Sequence, residues 1–218
     1  MSIAQAGALP GLRSEPISSF PMTAIPFTPP PAPENRNVLR QRLIAARRGL
    51  SAEAVALLSE AICGHLMAGF PELEGKVVGF CWPVQNEPDL RPLLLEWQSR
   101  GGRSALPVVT VPNAPLAFRE WREATPLAPD RYGIPTPTEG PWLVPQVLLL
   151  PVNGVDRLGY RLGYGGGFFD RTLASLDPRP LAIGVGYELA RVADIGPEPH
   201  DEPLDALVTE AGITRFRP

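Results

Sequence analysis

The chain has 218 residues and a mass of 23.6 kDa, enough for one sizeable hydrophobic core. Its formal net charge of -3 gives a nucleic-acid partner no electrostatic support. No apolar run reaches the ~18 residues that would predict a membrane span. The two cysteines, Cys63 and Cys81, lack metal-ligand spacing and are predicted to be reduced core residues of a cytoplasmic protein.

Residues 1–33 differ in composition from the rest of the chain. Eight of them are proline, ending in the run from Pro29 to Pro33. The segment lacks the basic start and continuous apolar core of a secretory signal. We expect a disordered extension before one domain at 34–218, since so many prolines oppose both helix and sheet. A docking tail is the alternative, and unchanged function after deletion of the segment would make it accessory.

Residues 34–48 are predicted to form a helix with a basic side. At 100° per residue, one side of this helix contains Arg36, Arg40, Leu43 and Arg47. Arginines that share a face with core leucines suggest a helix edge facing an anionic group inside the protein. On pattern alone, a solvent-exposed basic helix is equally compatible.

The remaining elements predict an α/β domain. A second helix is expected from the N-cap Ser51 to about Ala68, and a third at 90–99. Buried apolar runs separated by helices predict a single-domain, mainly parallel sheet flanked by helices on both faces. The mixed run at 116–121 is expected to be antiparallel or at an edge. The predicted strands are 77–81, 105–109, 116–121, 147–152, 181–185 and 206–209.

The most informative stretch, residues 156–171, contains five glycines interleaved with charged and aromatic residues. It leads from the apolar run at 147–152 into a helical pattern. Glycines let backbone N–H groups approach a ligand closely, and a helix N-terminus favours phosphate. Arg161 and Arg171 add positive charge, and Asp170 could hold Mg²⁺ on the phosphates.

The glycine spacing matches neither common nucleotide-binding fingerprint. A P-loop requires lysine after its last glycine, whereas Phe168 follows Gly167. Phe168 also stands where a dinucleotide-binding loop has its third glycine. A flexible surface turn is the simpler alternative, but a solvent loop has little reason to alternate glycine with aromatic and charged residues.

Three segments that could contribute to a binding site follow predicted strands. They are residues 82–87, 153–170 and 187–188. Because ligands of open α/β sheets bind beyond the carboxyl ends of the strands, these segments are expected to share one cleft.

Residues 159–173, Gly-Tyr-Arg-Leu-Gly-Tyr-Gly-Gly-Gly-Phe-Phe-Asp-Arg-Thr-Leu, closely resemble the signature of the 5-formyltetrahydrofolate cyclo-ligases, also called methenyltetrahydrofolate synthetases. The resemblance covers roughly residues 35–215 and returns at 87–92, 131–135 and 198–205. It implies ATP-dependent conversion of 5-formyltetrahydrofolate to 5,10-methenyltetrahydrofolate, with release of ADP and phosphate. It also implies Mg²⁺ as cofactor and small-molecule substrates only. We expect a monomer with neither nucleic-acid nor membrane partners.

The resemblance also implies site residues. Asp170 and Asp201 match the magnesium-binding acids, and Arg161 and Asp170 would be catalytic. The nucleotide would be held by Arg36, Arg40, Arg161, Leu162, Gly163, Tyr164, Gly165, Gly166, Gly167, Phe168 and Phe169. The folate would be held by Trp82, Glu87, Tyr164, Gly165, Gly166, Gly167 and Phe168.

Each acidic or aromatic candidate also has a simpler interpretation. Glu87 could be a solvent-exposed loop acid, and Trp82 a core residue. Asp170 could be a helix cap that interacts favourably with the helix dipole. Asp201 could belong to an acidic turn.

Three positions depart from the family pattern. Arg36 stands where lysine is usual, Phe169 where tyrosine is frequent, and Leu90 where threonine is common. The last two changes motivate one alternative, a folate- or nucleotide-binding relative without turnover. A sugar-phosphate isomerase-like enzyme is another, on fold analogy alone. We favour an active cyclo-ligase, since no charged group central to the mechanism is replaced.

Overall fold

The computed structural model describes residues 34–217, so the predicted extension at 1–33 lies outside the described part. The helices are α1 (Arg36–Arg48), α2 (Ala52–Gly69), α3 (Arg91–Ser99) and α4 (Phe168–Ser175). The strands are β1 (Val77–Gly79), β2 (Arg103–Val108), β3 (Ala117–Trp121), β4 (Leu127–Pro129), β5 (Pro135–Pro137), β6 (Trp142–Leu143), β7 (Val147–Pro151), β8 (Gly154–Val155), β9 (Arg161–Leu162), β10 (Leu181–Val185), β11 (Ala206–Thr209) and β12 (Gly212–Arg215).

An eight-stranded sheet runs through this part of the chain in the order β12-β11-β10-β7-β1-β2-β3-β6. The five strands from β11 to β2 pair in parallel, while β12, β3 and β6 are antiparallel. The predicted α/β class and mainly parallel sheet are therefore confirmed. Strand β3, which was expected to be antiparallel or at an edge, is antiparallel and has β6 beyond it. The edge strands β6 and β12 and the hairpins β4–β5 and β8–β9 were not predicted.

Strand β7 shows why both faces of the sheet are covered. Successive strand side chains point to opposite faces, so Val147 and Leu149 join one core cluster while Leu148 and Leu150 join another. The first cluster contains Ile62 and Leu66 of α2 and Leu93, Leu94 and Trp97 of α3. The second contains Leu173 of α4.

Helix α2 reaches the length and apolar composition of a membrane span, a property that the sequence reading missed. It nevertheless contacts β11, β12 and α3. It begins at an N-cap serine, Ser51, whose hydroxyl accepts a hydrogen bond from the Ala54 amide over 3.2 Å. Ile62 and Leu66 are fully buried in the sheet's core. We therefore interpret α2 as a helix that packs one face against the sheet.

The two cysteines are partly buried, which fits their prediction as small core residues. Cys63 packs against the first core cluster, and Cys81 follows β1. Burial raises the pKa of the Cys63 thiol to about 11 and that of Cys81 well above its ordinary value. Neither forms a disulfide.

Helix α1 lies over the β8–β9 hairpin beyond the carboxyl end of β7. Leu39 and Leu43 of α1 pack with Leu162 of β9 in a separate cluster. A Cβ at Gly154 would lie 2.8 Å from a Leu43 methyl carbon, so glycine permits this close approach. The packing directs the basic side of α1 toward the glycine-rich segment.

Candidate active site

The basic side of α1 faces protein groups. Arg36 and Arg40 are partly buried and Arg47 is buried. The Arg40 Nε donates to the Gly163 carbonyl over 2.7 Å, and its Nη1 donates to Asn37 Oδ1. The prediction that the basic edge of this helix faces the protein interior is confirmed. The alternative, a solvent-exposed basic helix, is wrong.

Arg36 binds the carboxylate of Asp201 through both terminal nitrogens, at 2.6 and 3.2 Å. Its Nη1 also donates to the Gly196 carbonyl over 2.9 Å. Asp201 further accepts a hydrogen bond from the Glu198 amide over 2.7 Å. Partial burial opposes ionisation of Asp201, but these bonds outweigh it and lower its pKa. Asp201 is thus an ionised group held against the predicted nucleotide-binding arginine.

Asp170 lies in the first turn of α4 and contacts Arg161. The Arg161 Nη2 donates to Asp170 Oδ1 over 3.0 Å, and the Glu202 amide donates to the same oxygen over 3.1 Å. Gly167 occupies the N-cap position, so Asp170 is not the cap of this helix. These contacts bring Asp170 to the segment that contains Asp201, as the resemblance implied.

Arg161 is only 6% exposed, so most of its surface is unavailable to a ligand. Its Nη1 donates to the Glu202 carbonyl over 2.7 Å. Burial lowers its pKa against the opposing influence of nearby Asp170. In this arrangement Arg161 joins α4 to the Glu202 segment.

The glycine-rich loop presents backbone to its neighbours. Gly165 and Gly167 have φ angles of 91° and 62°, which glycine adopts readily. The Arg40 guanidinium lies 3.6 Å from the position of a Cβ on Gly165. Leu162, in contrast, is fully buried, so its side chain is not available to a nucleotide.

Aromatic residues border the same loop. The ring centroids of Phe168 and Tyr132 lie 6.3 Å apart in an edge-to-face arrangement. Tyr132 belongs to the 131–135 segment that resembles the family. Arg171 lies 5.2 Å from the Phe168 ring and donates to the Gly166 carbonyl over 2.7 Å. Phe169 packs against the second core cluster, so it fills apolar space without a hydroxyl.

Glu87 is 4% exposed, so its interpretation as a solvent-exposed loop acid is wrong. Its Oε1 accepts a hydrogen bond from the Tyr164 hydroxyl over 2.5 Å, and Oε2 accepts one from the Val84 amide over 3.1 Å. Burial raises the pKa of Glu87, although Tyr164, Arg47 and Val84 oppose the shift. The carboxylate is a buried acceptor held by specific donors.

Arg47 and Asn153 complete this cluster and were not predicted as site residues. The Arg47 Nη1 donates to Asn153 Oδ1 over 2.8 Å, and Nη2 donates to the Tyr164 hydroxyl over 2.8 Å. Arg47 Nη2 also lies 3.6 Å from Glu87 Oε1. Two signals were present in the sequence: Arg47 shares the α1 face with Arg40, and Asn153 directly follows a buried strand.

Trp82 is half-buried and belongs to the wall of the core. Its ring lies 6.3 Å from that of Trp121, and the Arg91 guanidinium lies 4.7 Å above it. These contacts fit the core interpretation, and the partly exposed remainder is available to a ligand.

A cavity of about 20 Å³ lies beside Glu87, and such a volume holds about one water molecule. A bicyclic ring does not fit this volume, so binding one here requires the surrounding loops to separate. The cavity is lined by Cys81, Glu87, Pro88, Leu90, Leu149, Pro151 and Val185.

Comparisons with known proteins identify the family of the chain. The model of the 5-formyltetrahydrofolate cyclo-ligase family matches residues 32–210. The chain is 32% identical over 197 residues to the 5-formyltetrahydrofolate cyclo-ligase of Mycolicibacterium smegmatis, covering 85% of this chain and 100% of that relative. It is 28% identical to the Escherichia coli K12 cyclo-ligase over 183 residues, covering 81% and 98%.

The fold has a solved counterpart. The NMR structure of Aquifex aeolicus 5,10-methenyltetrahydrofolate synthetase superimposes with a TM-score of 0.73 at 30% identity. The match covers 84% of this chain and 93% of that one. Family model, full-length relatives and fold agree, and the chain belongs to the 5-formyltetrahydrofolate cyclo-ligase family.

Proposed function

We propose that this protein converts 5-formyltetrahydrofolate and ATP to 5,10-methenyltetrahydrofolate, ADP and phosphate. One observation carries the proposal: Tyr164 of the glycine-rich loop is hydrogen-bonded to the buried Glu87 carboxylate. The same loop contacts Arg40 through Gly163. A phosphate-type site and a candidate acceptor for folate N–H groups therefore adjoin, as a reaction between ATP and folate requires. The family match supports this over an isomerase that uses no ATP.

The chemistry explains the need for ATP. A formamide oxygen is a poor leaving group, so N10 cannot close onto the formyl carbon and expel it. In the proposed reaction the formyl oxygen attacks the γ-phosphorus and ADP departs. N10 then attacks the formyl carbon, loses its proton, and the carbon–oxygen bond breaks to release phosphate. Such a reaction depends chiefly on positioning and on stabilisation of phosphate charge.

We assign nucleotide binding to the basic side of α1 and the facing loop. Arg36 and Arg40 supply positive charge, and backbone amides of residues 163–169 are suited to phosphate oxygens. Because the Leu162 side chain is buried, its contribution is limited to backbone. Arg161 is best suited to a positioning role, holding Asp170 and the Glu202 carbonyl.

The acids Asp170 and Asp201 suit Mg²⁺ in their chemistry, since Mg²⁺ prefers oxygen ligands and retains several waters. Both hydrogen bonds to the Asp170 carboxylate from the described residues go to its Oδ1. The second oxygen, Oδ2, is therefore left for a metal. Both oxygens of Asp201 bind Arg36, which would have to shift toward the phosphates. When bound, Mg²⁺ would neutralise phosphate charge.

We assign folate recognition to Glu87, with Trp82, Tyr164 and Phe168 as bordering aromatic groups. A carboxylate accepts two adjacent N–H donors well, as a pterin edge presents them. Both Glu87 oxygens are already engaged, so the folate would replace the Tyr164 hydroxyl. A cytoplasmic location and a monomeric state stay predictions.

An isotope experiment tests the route of the formyl oxygen. Substrate labelled with ¹⁸O in the formyl group is incubated with ATP, and the released phosphate is analysed by mass spectrometry. We expect one ¹⁸O atom in each phosphate. Product formation with unlabelled phosphate would contradict phosphorylation of the formyl oxygen. Folate binding without any product would favour the non-catalytic relative.

A further inference from the structure

Arg47 is a buried arginine, 3% exposed, at the C-terminal end of α1. Arg47 is not among the residues assigned above to ATP or folate binding. Burial of a guanidinium is costly unless its donors are satisfied. Arg47 has partners for all three of its guanidinium nitrogens: Gln85, Asn153 and Tyr164.

These three partners come from different parts of the chain. Gln85 lies in the loop after β1, Asn153 follows β7, and Tyr164 belongs to the glycine-rich loop. Nε donates to the Gln85 carbonyl over 3.0 Å, and the two terminal nitrogens donate over 2.8 Å each. One side chain thus fixes the relative positions of three loops around Glu87.

We propose that Arg47 is a positioning residue for folate recognition, which holds the Glu87 carboxylate in its place. The inference rests on the proposed role of Glu87. It adds a residue that acts through Glu87 without contacting the folate.

The loop that contains Glu87 needs such support. Gln85 and Asn86 have φ angles of 50° and 60°, in the left-handed region that non-glycine residues adopt at a cost. The end of α1 holds both residues. Arg47 binds the Gln85 carbonyl, and Asn86 Nδ2 donates to the carbonyls of Arg48 and Leu50 at 3.2 and 3.0 Å. A change at Arg47 would therefore displace Glu87.

Arg47 also affects the charge state of Glu87. The ionisable groups that face Glu87 are Tyr164 from the glycine-rich loop, Cys81 after β1, Tyr187 after β10, and Arg47 itself. Of these four groups, Arg47 is the cation. Its positive charge opposes the rise in the pKa of Glu87 that burial causes. Without it, the carboxylate would be protonated at a higher pH.

Two variants separate charge from geometry. Arg47→Lys keeps the charge but cannot reproduce three fixed donor directions, whereas Arg47→Gln removes the charge. Arg48→Gln is the matched control, since Arg48 is the adjacent residue of the same helix and is exposed. Steady-state kinetics are measured for each substrate with the other saturating, from pH 5 to pH 9. The rate without ATP is subtracted.

For Arg47→Lys we expect kcat/KM for folate to fall about tenfold, with KM for ATP nearly unchanged. For Arg47→Gln we expect a larger fall. In this variant the acid limb of the pH profile of kcat/KM for folate should also move about one pH unit upward. The reason is that Glu87 has lost an opposite charge within 4 Å. Arg48→Gln should match the unaltered protein. Should Arg47→Gln fail to fold, Arg47→Lys alone tests the proposal, through the difference between its effects on folate kinetics and on ATP kinetics.

Equal losses toward ATP and folate in Arg47→Lys would overturn the inference, as would an Arg47→Gln acid limb that does not move. Wild-type behaviour of Arg47→Lys would overturn it too. These results are distinct from failure of the proposed function, which would appear as an unaltered protein without ATP-dependent turnover. An unaltered protein that neither turns over nor binds 5-formyltetrahydrofolate in calorimetry would overturn both.

Discussion

The Tyr164 hydroxyl donates a hydrogen bond to Glu87 Oε1 over 2.5 Å and so joins the glycine-rich loop to the buried carboxylate. The Tyr164 residue is 47% exposed, while Glu87 is 4% exposed. Access to Glu87 therefore depends on the position of the loop proposed to bind ATP. A folate N–H group that reaches Glu87 must take the place of this hydroxyl.

Glu87→Gln is expected to raise KM for folate at least about tenfold, because hydrogen bonds to a charged acceptor are stronger than those to a neutral one. KM for ATP should change little. Initial rates at varied concentrations of each substrate check this. Glu123→Gln, at an exposed position, is the control. Equal effects on both KM values would argue against a folate-specific role.

The pH profile tests the same assignment. Burial raises the pKa of Glu87 above 4.5, its ordinary value. Since the ionised form accepts the folate N–H groups, kcat/KM for folate should fall as the pH drops through this raised pKa. Glu87→Gln should abolish that limb. A limb that persists in the variant would assign it to another group.

Asp170→Asn is expected to lower kcat/KM for magnesium–ATP at least about tenfold, since a neutral amide is a poor ligand for Mg²⁺. Its oxygen can still accept from Arg161. Asp170→Ala should also destabilise the fold by about 3 kcal/mol, because the buried Arg161 guanidinium loses its charged partner. Magnesium titrations of the rate and urea unfolding measure the two effects, with Glu74→Gln as an exposed control. Unchanged magnesium dependence in Asp170→Asn would reject Asp170 as a metal ligand.

Arg36 is expected to compete with Mg²⁺ for Asp201 when no nucleotide is bound. Both Asp201 oxygens accept from Arg36, so its removal should strengthen Mg²⁺ binding. We expect Arg36→Gln to bind Mg²⁺ about tenfold more tightly in calorimetry without ATP. Arg42→Gln, which removes an exposed arginine of the same helix, should have no effect. Equal affinities in Arg36→Gln and the unaltered protein would mean that Asp201 does not bind the metal.

Leu90→Thr is expected to destabilise the protein although threonine is common at this position in the family. Leu90 is buried, and its φ and ψ of −94° and −2° are not the extended geometry of a capping residue. Loss of buried apolar surface should therefore dominate, at about 2 kcal/mol. Urea unfolding measures this. Leu57→Thr, on an exposed face of α2, should cost about 0.5 kcal/mol. A more stable Leu90→Thr protein would show that the hydroxyl finds a partner.

Periodicity and apolar runs predicted the sheet well where burial was continuous. The strands at 181–185 and 206–209 were assigned with the observed bounds, because both are apolar runs in the interior. Strand β12 was missed since its four residues alternate in burial at the sheet edge and carry no apolar run. The two-residue strands β8 and β9 were hidden in the glycine-rich segment.

Motifs located the acids and arginines of the candidate site, but their environments depend on tertiary contacts. The sequence left Glu87 as a possible surface acid, because nothing local reveals that Arg47 and Tyr164 enclose it. Arg47 and Asn153 lie 106 residues apart and meet only when α1 packs beyond β7. Likewise, the Arg36–Asp201 pair joins positions 165 residues apart.

The most direct test of the account is near-ultraviolet absorbance of the purified protein with 5-formyltetrahydrofolate, Mg²⁺ and ATP. The methenyl product contains a conjugated amidinium that the substrate lacks. We predict a product band that grows only when ATP is present, with one ADP formed for each product molecule. Calorimetric binding of 5-formyltetrahydrofolate or ATP without growth of that band would contradict the proposed cyclo-ligase activity.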